Sequence, residues 1–122
     1  MATVKDVYAA VDQIAPFAAQ MDFDNAGFLV GRGEQQVTRL LVSLDITEEV
    51  VWEAVERGVE LIVSHHPIIF HPARSITDET SVGRIVLALA ERGIAAICAH
   101  TNLDASVGGV NDALADALGL TE

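Results

Sequence analysis

The sequence predicts a single α/β domain over residues 1–122, with a mainly parallel β-sheet and helices packed on its faces. Two observations carry this. Short apolar runs at 39–45, 61–63 and 94–99 alternate with stretches of helical periodicity, and strands separated by helices of about ten residues pair in parallel through right-handed crossovers. The composition is also that of a compact globular chain, with 122 residues of which 51% are hydrophobic. That length suffices to bury a core without disulfide or metal staples.

Taken in order, Val4, Val7, Tyr8, Val11 and Ile14 recur at helical spacing, and Pro16 falls where that helix should end. A polar turn from Met21 to Gly27 leads to a short extended piece, Phe28-Leu29-Val30, broken by Gly31-Arg32-Gly33. Residues 39–45 read as a strand that is apolar on both faces, and so buried on both. Thr47 then stands as an N-cap, Glu48 and Glu49 favour the positive end of the helix dipole, and Gly58 is the natural stop. Residues 61–63 form the next strand, ending in Ser64-His65-His66-Pro67, and a mixed loop runs from 68 to 80. Val82, Ile85, Val86 and Leu89 mark a third helix stopped by Gly93, and residues 94–99 form a strand ending in His100-Thr101-Asn102-Leu103-Asp104. A last helix is expected after Gly108-Gly109, with Val110, Leu114 and Leu118 facing inward.

The charge balance excludes some partners. The net charge of −11, from 18 acidic against 7 basic residues, repels a phosphate backbone, so no nucleic-acid partner is expected. No apolar run approaches the roughly 20 residues of a membrane span, and the N-terminus lacks a signal-peptide core. No membrane partner and a cytoplasmic location are therefore expected. Cys98 is the only cysteine and lies in an apolar strand, where an inert buried thiol is the natural reading. The glycines at 31 and 33 do not form a dinucleotide fingerprint.

A weak internal echo places the chemistry. Glu56-Arg57-Gly58 leads through a strand to His65, and Glu91-Arg92-Gly93 leads through a strand to His100 at the same spacing. This puts both histidines at one height, at the carboxyl ends of parallel strands, the edge where open α/β sheets carry their sites. His65, His66, His100 and Asp104 all fall on that edge. Consecutive extended residues point apart, so His65 and His66 are expected to serve different ions, with the Asp104 carboxylate as bridge. Imidazole and carboxylate together suit zinc, iron, manganese or nickel without selecting one. His100 is either a ligand itself or a group behind the ligands that orients one of them, and the second is the expectation. The plainer alternative is that His-His-Pro merely ends a strand. His71 reads as a surface residue and Asp45 as part of a helix start; Asp22, Asp24 and Asn25 could line a site, but short Asp and Asn side chains before glycine are ordinary turn chemistry.

The sequence resembles the Nif-three-like dinuclear metal-centre proteins, the GTP cyclohydrolase I type 2 homologues. The resemblance rests on Asp24-Asn25-Ala26-Gly27 with Val30-Gly31, Leu44-Asp45-Ile46-Thr47, Ser64-His65-His66-Pro67-Ile68-Ile69-Phe70, and Ala99-His100-Thr101-Asn102-Leu103-Asp104. Gly108-Gly109-Val110-Asn111-Asp112 and Leu118-Gly119-Leu120 complete it, in the family's order and over nearly the whole chain. It implies two divalent metal ions on His65, His66 and a bridging Asp104. The implied chemistry is a metal-dependent hydrolase whose activated water opens the guanine ring of GTP, and the implied assembly is a hexameric ring. A non-catalytic metal-binding or regulatory module would keep the same ligands, so both readings stay open. Arg74-Ser75-Ile76 stands where the family often has Lys-Ser-Ile, which keeps the positive charge.

Full-length relatives are expected to add a His and a Glu from a second half, and no His-x-x-x-Glu pair follows Asp104 here. The chain is therefore expected to correspond to the N-terminal half, without the C-terminal half. On that ground it is expected to bind metal weakly and to lack catalysis alone.

Overall fold

The computed structural model describes residues 2–106, so the expected helix after Gly108-Gly109 lies outside the described residues. Thr3 opens helix α1 (Val4–Ile14) with a capping box shared with Asp6. A single 3-10 turn at Phe17–Ala19 leads towards strand β1 (Gly27–Val30). Then follow β2 (Leu40–Ser43), α2 (Glu48–Arg57), β3 (Leu61–Ser64), α3 (Ser81–Glu91), β4 (Ala95–Cys98) and the short helix α4 (Thr101–Asp104). The sheet order is β1-β4-β3-β2. Strands β2, β3 and β4 are parallel and β1 is antiparallel to β4, so the expected mainly parallel α/β architecture is the observed one.

The punctuation follows local chemistry. Thr47 caps α2 through Val50 N–H, and Gly58 ends that helix at φ 63°, a left-handed conformation that glycine takes without a Cβ penalty. Thr80 caps α3 by accepting from Gly83 N–H.

Alternation along the strands then divides the core between two faces. Ile62 and Ala96 look toward α2 and α3, where they join Val51, Ala54, Ile85 and Leu89. Leu61, Ala95 and Ile97 look the other way, onto Val4 of α1 and Phe17.

One expectation fails here. The strand at 39–45 is not buried on both faces: Leu40, Val42 and Leu44 are 42%, 72% and 61% exposed. It lies at the sheet edge. Among the described residues the helix on that face, α1, packs over β3 and β4, while Leu41, on the opposite face, packs toward the α2 and α3 side. Continuous hydrophobicity signalled a strand correctly, but only the strand order decides which faces are covered.

A candidate metal centre

The ladders bring Ser43, Ser64 and Cys98 into one row at the carboxyl end of the parallel strands. One residue beyond that row, His65 is level with Ala99 rather than with His100. The internal echo thus misplaces His100 by one residue, because the sequence repeat is one longer than the ladder offset. What brings the His100 ring back is its backbone, which leaves the extended region (φ −112°, ψ −105°) at the start of α4.

The two adjacent histidines are fixed on several sides. Their amides continue the β2–β3 ladder, His65 N–H donating to Ser43 O (3.2 Å) and His66 N–H to Leu44 O (2.9 Å). Their carbonyls accept from the Cys98 thiol (3.1 Å) and the Ser64 hydroxyl (2.9 Å). Burial, then the Asp24 charge, push the Cys98 thiol up to about 12 against a weaker opposing bond with Ser64, so it is a structural donor and not a nucleophile.

The three rings meet. Centroids are 5.2 Å apart for His65 and His66, 5.1 Å for His65 and His100, and 5.5 Å for His66 and His100. One ring nitrogen from each lies within 4.8 Å of the other two. Behind them stand three oxygen acceptors. His65 Nδ1 is 2.8 Å from Ala99 O, His66 Nδ1 is 2.6 Å from Asp45 Oδ1, and His100 Nδ1 is 2.9 Å from Asp24 Oδ1. A backbone carbonyl and carboxylate oxygens accept, so each Nδ1 is placed to donate, which in a neutral imidazole leaves the lone pair on Nε2. This is the arrangement of metal-binding imidazoles, whose second nitrogen is held by a carboxylate or carbonyl. Asp104, in α4, lies beside the group, with Oδ1 at 3.7 Å from His65 Nε2.

The support behind His100 is the most elaborate. The Asp24 side chain is fully buried. Burial alone would raise its pKa, but bonds from the Thr101 hydroxyl, His100 and the amides of Thr101 and Asn25 outweigh it and bring the value down to about 2. Asn102, also buried, accepts from His100 N–H (2.9 Å) and donates to Ala15 O (2.8 Å), tying the turn to the end of α1.

Of the residues singled out in the sequence, His65, His66, His100 and Asp104 come together, and His71 sits apart on an exposed loop. The His100 ring stands beside those of His65 and His66, and Asp24 and Asp45 stand behind the rings of His100 and His66. The sequence places Asp24 in a turn and Asp45 at a helix start. Asp45 carried a signal, since Thr47 already caps α2 and left the carboxylate without a task. Asp24 carried only its place in the Asp24-Asn25-Ala26-Gly27 motif, 76 residues from its histidine.

These residues fit a divalent ion. Two nitrogens on one tetrahedral ion sit about 3.3 Å apart, so the observed spacing needs ring adjustments on the order of 1 Å.

Residues 2–122 match the family described as Duf34/NIF3 (NGG1p interacting factor 3). The chain belongs to the Duf34/NIF3 family. Among relatives in this family, proteins named GTP cyclohydrolase 1 type 2 homolog from Clostridium perfringens and Halalkalibacterium halodurans are 41% and 42% identical over 98% and 100% of this chain. The match spans 45% and 33% of those two proteins, so the chain covers less than half of their length. Two solved structures agree in fold. A Bacillus cereus protein related to NIF3 superposes with TM-score 0.93 at 37% identity, over 99% of this chain and 33% of that one. HcgD from Methanocaldococcus jannaschii superposes with TM-score 0.90 at 30% identity, over 99% and 48%. No helix among the described residues is long and apolar enough to cross a membrane.

Proposed function

We propose that this chain is the metal-binding part of a dinuclear metal-dependent hydrolase whose substrate is a nucleotide such as GTP. The observation that carries the reading is the common orientation of three imidazoles, each with Nδ1 held by an oxygen and Nε2 left for a metal. His65, His66 and Asp104 are the proposed ligands of two divalent ions, with the carboxylate as bridge. Zinc, iron, manganese and nickel all suit this donor set. When bound, such ions would activate water and polarise an electrophilic carbon.

The chain's own residues do the rest. Ala99 O and Asp45 fix the tautomers of His65 and His66, and the Ser64 and Cys98 donors hold the backbone that carries them. The names of the relatives support the nucleotide substrate and, with it, opening of the guanine ring. The proposed assembly is a homo-oligomer, a hexameric ring in the full-length family.

The test is metal content by mass spectrometry together with formate release from GTP, on a protein extended to the full length of the relatives. About two divalent ions per chain and metal-dependent formate release are expected. Two ions without any formate release would favour the alternative, a metal-binding regulatory module. No bound metal would overturn both.

A further inference from the structure

We propose that His100 is itself a metal ligand, sharing an ion with His65 through Nε2, and that Asp24 is the positioning residue that holds it there. This rests on the metal-centre reading above and goes beyond its ligand set of His65, His66 and Asp104.

Three observations converge. The His100 ring lies 5.1 Å from that of His65, as close as His66 lies at 5.2 Å, and one nitrogen from each of the three rings falls within 4.8 Å of the other two. The Nδ1 of His100 is already engaged by Asp24 Oδ1, which leaves Nε2 as its metal-binding atom. Asp24 is in turn over-determined: its other oxygen accepts from both the Thr101 amide (2.9 Å) and the Thr101 hydroxyl, and its side chain is shielded from solvent.

A shielded carboxylate with that many donors cannot swing away, so the ring it holds has one orientation. A surface histidine that merely ended a strand would need no such anchor, as His71 illustrates on its exposed loop. His100 also supplies what a catalytic ion ordinarily requires. With His65 and Asp104 it would make three protein ligands and leave a position open, and His66 would remain for the second ion.

The experiment is long-range proton–nitrogen NMR of the histidine rings in this chain, titrated with zinc. Before zinc, His65, His66 and His100 should all show the Nδ1–H tautomer. With zinc, the Nε2 resonances of His65 and His100 should shift together, with Nδ1 still protonated, while His71 stays put. A shift of His65 and His66 with His100 unmoved would overturn the inference and leave the metal-centre reading intact. No shift at any of the three rings would overturn both. Zinc affinity adds a second readout: His100→Gln should lower it at least tenfold and His71→Gln should leave it unchanged. Asp24→Asn should lower it by about 10- to 100-fold and scramble the His100 tautomer. A tautomer unchanged in Asp24→Asn would show that Asp24 does not position the ring.

Discussion

Replacing Asp24 with alanine is expected to destabilise the domain by about 3 kcal/mol, because it strips several donors at once of their acceptor. The Thr101 amide, the Thr101 hydroxyl and His100 Nδ1–H all converge on this one side chain. At roughly 4 °C per kcal/mol for a chain of this size, the melting temperature should fall by about 10 °C. The pH dependence separates this cause from a simple loss of packing. The Asp24 pKa is lowered from 3.8 to about 2, so its contribution is complete above the unfolded value and is lost as pH falls from about 4 toward 2. That linked share is about 2 kcal/mol. Stability curves of the wild-type and Asp24→Ala proteins should therefore converge as the solution is acidified through that window. A constant gap between them from pH 7 to pH 2 would show that the carboxylate charge is not what the site depends on.

Gly83→Ala should be the other large effect, and with a sign opposite to helix propensity. An alanine in a helix ordinarily gains about 1 kcal/mol over glycine. At this position a Cβ would collide with the Thr77 carbonyl oxygen and lie 2.9 Å from Thr80 Oγ1, the atom that caps α3. The first contact is with backbone, so relief requires moving the loop that runs from the His-His-Pro segment into α3. A loss of about 3 kcal/mol is expected, measured by urea denaturation. Equal or greater stability in the variant would contradict this close approach.

How far these features could be read from the sequence depends on the range of the interaction. Helix starts at Thr47 and stops at Gly58 are written in adjacent residues, and the structure places both there. Strand placement at 61–63 followed from a short apolar run between turn signals. The exposure of Leu40, Val42 and Leu44 was not legible, because it depends on β2 being the edge strand and on α1 lying over the other strands.

At the site, the grouping of His65, His66, His100 and Asp104 came from a topological rule about strand ends. The partners of those residues did not follow from any rule. The Asp24–His100 pair spans 76 positions and the His66–Asp45 pair 21, and neither shares a local motif. The height of His100 was misjudged because the repeat in the sequence differs from the ladder register by one residue. The turn at His100 that compensates for this is made by Asn102, whose side chain accepts the His100 amide.

The central claim is that these strand ends hold a divalent ion on imidazole Nε2 atoms. Anomalous diffraction from crystals of this chain soaked in zinc, collected at the zinc absorption edge, tests it most directly. An anomalous peak is expected at about 2.0–2.1 Å from the Nε2 atoms of the ligating histidines, inside the group formed by His65, His66 and His100, with each Nδ1 still on its oxygen partner. A peak on Nδ1 of any of the three, or zinc bound only at other surface residues, would contradict it.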